Sequence, residues 1–284
     1  MNILVTGATG NFGGYALKVL QDLVPEDNLY GLARTEEKGA KLKEAGIKVR
    51  IGDYTDSASL QKAFEGIDRL LFVSSTTDGD RQAQHRDVVE AAKAAGVGYI
   101  AYTSFGKATE STSPLAADHR FTEQLIEESG IAHTFLRNNW YLENEAAFLA
   151  AGAKGGKFIY AGGNGQAGWA LRREYAEVAA RAVSGKFDFP KILELGGSLR
   201  TYEDLGAALR GATGKDLEVI SADEATAAKN LVENAEVPQN VAELLVSFQQ
   251  IVKSGALAVQ PDDFEKYLGK PLTPMVDAIK EVLG

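Results

Sequence analysis

The sequence of 284 residues contains no cysteine and only three histidines. The lack of cysteine excludes disulfides, thiol nucleophiles, zinc ribbons and cysteine-ligated clusters. His85, His119 and His133 do not pair at a spacing typical of metal ligands, so no metal site is predicted. Long apolar runs are also missing: none approaches the ~20 residues that a membrane helix needs.

Basic residues are in the minority, because 30 Lys and Arg stand against 39 Asp and Glu, a formal net charge of −9. Binding to duplex nucleic acid needs clustered basic side chains, so nucleic acid is not predicted as a partner. Residues 1–7 lack the basic and long apolar segments of a signal peptide, and the sequence therefore predicts a cytoplasmic protein.

Short apolar segments alternate with amphipathic ones through the first half of the chain. Strands are predicted over residues 3–5, 28–34, 48–52, 70–74, 99–103 and 133–136, and helices over residues 15–24, 36–45, 57–64, 81–95 and 117–128. Apolar strands separated by helices of this length are typical of a parallel sheet covered on both faces. The sequence predicts an α/β protein with a Rossmann-like, doubly wound parallel sheet.

The pattern changes after about residue 150. Residues 151–168 are predicted to be rich in loops, and residues 161–169 form either a mobile lid or an ordinary connecting loop. Helices are predicted over residues 173–183, 202–213, 224–234, 241–254 and 274–283. We therefore predict a Rossmann domain over residues 1–150, with some later segments wound back onto it, and a smaller, mostly helical lobe over residues 151–284.

The most informative glycines stand between the first strand and the first helix. In a dinucleotide site with this pattern, Gly7 would permit a tight turn, Gly10 would let the backbone approach a pyrophosphate, and Gly13 would allow close contact between helix and sheet. The N–H groups at the start of the helix would then face the phosphates. The turn predicts a dinucleotide site; a glycine-rich turn without a ligand is the alternative. The predicted cofactor-binding residues of the turn are Gly7, Thr9, Gly10, Asn11, Phe12 and Gly13.

The end of the second strand indicates which dinucleotide binds. A site for NAD usually has Asp or Glu about 20 residues beyond the glycines, whereas this sequence has Arg34 there and Lys38 one helical turn later. A guanidinium can bind a 2′-phosphate through two hydrogen bonds. NADP(H) is therefore predicted, with NAD(H) less favoured, and the first domain is expected to bind it; a solvated Arg34 is the alternative.

Polar and aromatic residues follow the later strands, and we predict that they complete the site. Asp53 and Tyr54 follow the third strand, where the adenine would lie, although Asp53 is equally compatible with a turn or a helix N-cap. The other predicted cofactor-binding residues are Ser74, Ser75, Thr76, Ser104 and Asn138, and the predicted substrate-binding residues are Phe105, Gly106, Asn139, Trp140 and Tyr141.

Several motifs together resemble one family over essentially the whole chain. They are Val5-Thr6-Gly7-Ala8-Thr9-Gly10, Gly52-Asp53-Tyr54, Gln84-His85-Arg86 and Arg137-Asn138-Asn139-Trp140-Tyr141-Leu142-Glu143-Asn144. The chain resembles the NmrA-like atypical short-chain dehydrogenases, in particular their NAD(P)H:quinone oxidoreductase type 2 branch, with triphenylmethane reductase a more distant relative. The resemblance implies binding of NADPH and two-electron reduction of quinones.

The chain departs from the wider superfamily in its acid catalyst. Short-chain dehydrogenases that reduce ketones use a Tyr-x-x-x-Lys pair, in which the lysine lowers the pKa of the proton-donating tyrosine. None of the ten tyrosines here has a lysine four positions later. Hydride addition to a quinone gives a stabilised anion that solvent can protonate, so the cofactor supplies the chemistry and the protein supplies alignment.

The sequence therefore predicts NADPH-dependent hydride transfer to quinones or similar planar, electron-poor acceptors. The rings of Trp140 and Tyr141 would flank such an acceptor, unless they only pack at a helix start. His119 and Tyr141 are the candidate catalytic residues, and a solvated or capping His119 is the alternative. A non-catalytic NAD(P)-binding redox sensor is the second functional hypothesis. The predicted partner is a small molecule, and a homodimer is left open.

Overall fold

The computed structural model describes residues 1–75 and 79–284. Its strands are β1 (Ile3–Val5), β2 (Leu29–Ala33), β3 (Lys48–Ile51), β4 (Arg69–Phe72), β5 (Tyr99–Phe105), β6 (Ala132–Asn138), β7 (Trp140–Tyr141), β8 (Lys157–Tyr160), β9 (Gln166–Ala167), β10 (Trp169–Ala170), β11 (Ile192–Leu195), β12 (Arg200–Thr201) and β13 (Glu218–Ser221).

The α-helices follow the strands in the alternation that the sequence predicts. They are α1 (Asn11–Leu23), α2 (Glu36–Glu44), α3 (Ser57–Phe64), α4 (Arg81–Ala94), α5 (Pro114–Ser129), α6 (Ala146–Gly155), α7 (Arg172–Ser184), α8 (Tyr202–Thr213), α9 (Glu224–Ala235), α10 (Gln239–Lys253), α11 (Phe264–Leu268) and α12 (Met275–Leu283).

Within the described ranges, seven strands form one parallel sheet in the order β11-β6-β5-β4-β1-β2-β3. The chain builds β1 to β3 toward one edge and β4 to β6 toward the other, so the strand order reverses between β1 and β4. Ligands of open α/β sheets bind at the carboxyl ends of the strands at such a reversal. The predicted α/β class and doubly wound parallel sheet are confirmed.

Apolar side chains of α3, α4 and α5 pack against one face of this sheet. Phe64, Val88 and Ile126 are fully buried against strand residues that include Phe72 and Phe135. Burial of each such side chain contributes about 1.5–3 kcal/mol relative to exposure. This core fixes the strand ends that carry the predicted site residues.

The described chain forms two compact units. The first comprises Met1–Asn138 and Arg173–Leu193, and the second comprises Asn139–Arg172 and Glu194–Gly284. The domain boundary predicted at residue 150 stays a prediction, because compactness alone does not define an independently folding domain. In the part of the chain that the structure describes, no helix is both long enough and apolar enough to cross a membrane.

Two predictions of local structure are wrong. The strand predicted over residues 70–74 ends at Phe72, because side chains rather than a neighbouring strand bind the backbone that follows. Residues 151–155 are not a loop but the end of α6, an alanine-rich helix that stops at Gly156, whose φ of +69° suits a helix C-cap. The strand β8 then begins at Lys157.

The glycine-rich segment over residues 161–169 belongs to the second unit and is hydrogen-bonded to other residues of that unit. The Ala161 N–H donates to Oε1 of Gln249 at 2.7 Å, and the Gly168 N–H donates to Oδ1 of Asn139 at 3.0 Å. A Cβ on Gly162 would lie 2.2 Å from Cε2 of Tyr202, so glycine is needed there for close contact. These contacts favour the connecting loop over the mobile lid.

The buried carboxyl of Glu145 organises the core of the second unit. Its Oε1 accepts hydrogen bonds from Trp140 Nε1 at 3.1 Å, Trp169 Nε1 at 3.4 Å and the Tyr202 hydroxyl at 2.9 Å. Burial raises the pKa of Glu145, while these donors and the side chain of Gln249 lower it. The three groups bound to Oε1 are all donors, so the site requires an acceptor at this position.

Replacing Glu145 by Leu tests that requirement. Glu145→Leu leaves the buried donors of Trp140, Trp169 and Tyr202 without their acceptor, and we expect it to lower the free energy of unfolding by about 3 kcal/mol. The measurement is urea unfolding at neutral pH. Glu143→Leu is the matched control, because Glu143 is only half-buried and water can replace it as the acceptor of the Arg172 N–H. Equal losses in the two variants would contradict the account of Glu145.

Candidate cofactor-binding site

The turn between β1 and α1 has the backbone shape of a phosphate cradle. Gly7 has a φ of +59°, which favours glycine, and its carbonyl accepts the N–H of Gly10 at 3.0 Å. Gly10 is the N-cap of α1 and has no side chain to bind the first N–H groups of the helix. A helix N-terminus of this kind attracts anions through its N–H groups and its dipole.

The glycines at positions 10 and 13 are required for different reasons. A Cβ on Gly13 would lie 2.3 Å from the carbonyl oxygen of Gly7, so the turn itself excludes any side chain there. Among the described residues, a Cβ on Gly10 would meet only that same oxygen, at 3.4 Å. No other atom of the described residues therefore lies within 4 Å of that position, and a bound pyrophosphate requires such an approach to the backbone.

Some residues of the turn are buried against the protein, and others are exposed to solvent. Phe12 and Gly13 are buried, whereas Gly7, Thr9 and Asn11 are exposed. Phe12 thus anchors α1 on the sheet, and the polar side chains of Thr9 and Asn11 are accessible to a ligand. The predicted roles of these residues in binding a cofactor fit this placement and stay predictions.

Arg34, Lys38 and Asp53 come together at the ends of β2 and β3. Arg34 and Lys38 are exposed, and neither forms an ion pair with another residue in the described ranges. A hydrogen bond from the Thr55 backbone lowers the pKa of Asp53, and the charges of Arg34 and Lys38 lower it further. The two cations are thus available to an anionic ligand.

The side chains of Asp53 and Tyr54 both form hydrogen bonds within the protein. Oδ1 of Asp53 accepts the N–H of Thr55 at 2.9 Å and its hydroxyl at 2.8 Å, which favours the turn among the predicted alternatives, while Asp56 is the N-cap of α3. The Tyr54 hydroxyl donates to the Val73 carbonyl at 3.1 Å. Contact of either residue with an adenine stays a prediction.

A buried ion pair fixes the hydroxyl at the end of β5. Arg137 donates to Glu123 through Nε at 2.9 Å and Nη2 at 2.6 Å, and Ser104 donates its hydroxyl to the same carboxylate at 2.6 Å. Because the carboxylate is paired with a guanidinium, it accepts and does not donate. The proton of Ser104 therefore points into the protein. Asn138 lies opposite Phe105 in the neighbouring strand.

His119 is buried and its hydrogen bonds define its tautomer. Arg81 Nη2 lies 3.1 Å from Nε2, and the Tyr102 hydroxyl lies 2.9 Å from Nδ1. Since a guanidinium only donates, Nε2 accepts, and the single proton of the neutral ring is on Nδ1. Burial lowers the pKa of His119 well below its usual value, and the charge of Arg81 lowers it further. Its N–H is directed to Tyr102, so the solvated or capping alternative does not describe it.

The remaining predicted site residues differ in their burial and in their contacts within the protein. In the first unit, Phe105 ends β5 and Gly106 follows it in a turn, Ser74 is half-buried and Ser75 is buried; Thr76 lies outside the described residues. In the second unit, Asn139 bonds Gly168 and Leu257, Trp140 is buried beside Glu145, and Tyr141 is half-buried with Arg172 5.1 Å over its ring. The substrate roles stay predictions.

From the sequence, His85 stands out only among the three histidines and in a family motif, and Glu123 does not stand out, although both are buried polar residues near the site. His85 precedes Val88, Val89 and Ala92 at helical spacing, and Glu123 stands at the same spacing between His119 and Ile126. Such positions face the core. A polar side chain on an apolar helix face needs a buried partner, and that signal could have identified both.

No group of three or more His, Asp or Glu residues in the described ranges is placed to hold a metal ion. A family model described as NAD(P)H-binding matches residues 7–183, which include the whole glycine turn. The chain belongs to the NAD(P)H-binding, NmrA-like family. The predicted family membership is thereby confirmed.

Relatives within this family are similar along the full length of the chain. Quinone oxidoreductase 2 of Escherichia coli (strain K12) is 37% identical over 283 residues, with 99% of each chain covered. Triphenylmethane reductase of Citrobacter sp., complexed with NADP(H), has a TM-score of 0.91 at 34% identity, covering 99% of this chain and 100% of that one.

A third similarity concerns the structure of the E. coli enzyme. NADPH-dependent quinone oxidoreductase complexed with NADPH has a TM-score of 0.89 at 37% identity, covering 99% of this chain and 100% of that one. Together these similarities confirm the prediction of a quinone oxidoreductase-like, NAD(P)H-binding enzyme.

Two glycine substitutions distinguish an effect on NADPH binding from an effect on folding stability. Gly10→Ala places a methyl group over the open face of the turn, and because Gly10 has a φ of −92° alanine is tolerated there. We expect its melting temperature to change by less than about 2 °C while NADPH affinity falls about tenfold or more, since a bound phosphate needs that space. Calorimetric titration with NADPH and thermal unfolding measure the two quantities.

Gly13→Ala is the control, because its methyl group meets the backbone of the turn. We expect it to lower the melting temperature as well as NADPH affinity. If Gly10→Ala binds NADPH as tightly as the unaltered protein, the phosphate does not lie over Gly10.

Proposed function

We propose that the protein is an NADPH-dependent reductase that transfers a hydride to quinones or similar planar, electron-poor acceptors. The observation that carries this reaction class is the direction of the hydrogen bonds beside the ends of β4 and β5. The N–H of His119 is bound to Tyr102, and the hydroxyl proton of Ser104 is bound to Glu123. Neither group is oriented to protonate a substrate, and an acceptor whose reduced form is a stable anion does not need one.

Two groups of residues would bind the cofactor: the glycine turn and the basic pair Arg34 and Lys38. The turn from Gly7 to Gly13 would hold the pyrophosphate on the N-terminus of α1. Arg34 and Lys38 would bind the 2′-phosphate, since both are exposed and free of ion pairs with other described residues.

NADPH, when bound, supplies the hydride. The acceptor gains that hydride and leaves as a hydroquinone anion, which takes its proton from water. The chain's contribution is to align the planar acceptor, and approximate alignment in a bound complex accounts for a large part of the rate gain in such reactions. Tyr141 stays the predicted aromatic contact of the acceptor: it is half-buried, whereas Trp140 is buried.

Replacing Arg34 tests the choice of cofactor. Arg34→Asp should weaken NADPH binding by about tenfold to a hundredfold and leave NADH binding within about threefold, because a charge-assisted bidentate contact contributes roughly 1.5–3 kcal/mol. The measurement is titration with each dinucleotide. Lys18→Asp, on the exposed face of α1, is the control with the same change in charge. An unchanged NADPH preference in Arg34→Asp would remove Arg34 from the phosphate site.

The pH profile of benzoquinone-dependent NADPH oxidation tests the reaction class. Burial keeps the pKa of His119 well below its usual value, so the ring stays neutral between pH 6 and 9 and cannot gain or lose a catalytic proton there. We therefore expect kcat to vary less than about twofold over that range, and His119→Gln and Tyr141→Phe to retain more than about a third of it. A kcat that falls with one ionisation and is abolished in His119→Gln would contradict this; NADPH binding without oxidation would favour the redox-sensor hypothesis.

A further inference from the structure

The three residues after β4 are held by side chains from four neighbouring elements. The N–H of Val73 donates to the hydroxyl of Thr6 at 2.9 Å, and the N–H of Ser74 donates to the hydroxyl of Thr103 at 2.9 Å. The Val73 carbonyl accepts from Tyr54, and the N–H of Ser75 donates to Nε2 of His85 at 3.1 Å. We call residues 73–75 with these bonds the β4 clamp. It replaces the ladder bonds of a strand with bonds to side chains.

The β4 clamp lies directly against the glycine turn. A Cβ on Gly7 would lie 3.2 Å from Cβ and from Cγ1 of Val73, so Val73 lies beside the turn, and the hydroxyl of Thr6, the residue before Gly7, accepts the Val73 N–H. A shift of residues 73–75 by a few tenths of an ångström would therefore be transmitted to Gly7. The backbone of Gly7 in turn accepts the N–H of Gly10, where the phosphate cradle begins.

His85 ends the clamp and connects it to α5. Because the Ser75 N–H donates to Nε2, the proton of the neutral ring is on Nδ1, which donates to Thr122 Oγ1 at 2.7 Å. The Thr122 hydroxyl donates onward to the Asp118 carbonyl at 2.7 Å. The ring is fully buried and stacks edge-on against Phe72 at 4.9 Å. Burial lowers the pKa of His85 to about 3, so this bonding direction is kept at neutral pH.

Gln84 strengthens the same end of the clamp. The Ser75 hydroxyl donates to its Oε1 at 3.0 Å, so Gln84 and His85 of α4 hold both the backbone and the side chain of Ser75. An apolar residue would fill the space of His85 but would leave a buried N–H without an acceptor, which displaces the backbone or costs the full desolvation of that group.

We propose that His85 is a positioning residue for NADPH: its Nε2 holds Ser75, and through residues 73–75 it fixes the glycine turn in the shape that binds the pyrophosphate. The proposal rests only on the cofactor part of the proposed function. It makes no assumption about the acceptor, so loss of quinone turnover with intact NADPH binding would overturn the reaction class and leave the role of His85 standing.

Two substitutions of His85 test the proposal in the full-length protein. His85→Phe keeps a flat ring beside Phe72 and removes both hydrogen bonds. His85→Gln keeps an acceptor for Ser75 and a donor for Thr122. His133→Phe is the matched control, because His133 lies in the same unit, stacks on Phe135 at 4.4 Å and bonds the Ile131 carbonyl, away from the clamp.

We expect His85→Phe to raise the NADPH dissociation constant about tenfold, the effect of losing one buried hydrogen bond, and kcat at saturating NADPH to change less than twofold. His85→Gln should return the dissociation constant to within about threefold of the unaltered value. Hydrogen exchange of the Ser75 amide, measured without cofactor, should accelerate in His85→Phe and not in His133→Phe.

The comparison with His133→Phe separates positioning from general stability. If His85→Phe and His133→Phe lower the melting temperature equally and His85→Phe still binds NADPH like the unaltered protein, His85 is only structural and the proposal is wrong. Faster exchange of Ser75 with an unchanged NADPH dissociation constant would overturn it as well. A tenfold higher NADPH dissociation constant in His133→Phe would contradict the proposal, because the effect would then not be specific to the β4 clamp.

Discussion

The hydrogen bond between the Val73 N–H and the Thr6 hydroxyl joins the two central strands at the point where the strand order reverses. β1 ends here in the glycine turn, and β4 ends here in residues held by side chains. A parallel sheet leaves a crevice between diverging connections at this position. The candidate site lies at this divergence and combines the glycine turn after β1 with the residues after β4 that side chains hold.

Buried charge is handled differently in the two units. In the first, Glu123 is neutralised by the bidentate contact with Arg137 and also accepts the proton of Ser104. In the second, Glu145 has no ion-pair partner among the described residues and is surrounded by neutral donors of Trp140, Trp169 and Tyr202. Removing one member of such an arrangement leaves buried polar groups unsatisfied, which is far more costly than losing one exposed contact.

The parts of the structure predictable from sequence are those in which local chemistry alone decides the conformation. Glycines at fixed positions after a strand specify the turn at Gly7, and the apolar runs of β1 and β4 specify a buried parallel sheet. The end of β4 is different, because Ser74 and Ser75 are bound by side chains of other elements, Thr103 of β5 and His85 of α4. Periodicity cannot show such bonds. The roles of Trp140 and Tyr141 are similarly beyond the sequence, since an aromatic residue packs or binds according to its neighbours.

The central claim is direct transfer of a hydride without a proton donated by the protein. An anaerobic single turnover with 4-deuterated NADPH and benzoquinone, run in H2O and in D2O, tests it most directly. We expect one hydroquinone per NADPH, a primary isotope effect of about twofold or more from the deuterated cofactor, and a solvent isotope effect close to one. A large solvent effect on the same step would contradict this prediction, because it would show that a proton is transferred together with the hydride rather than to the free anion afterwards.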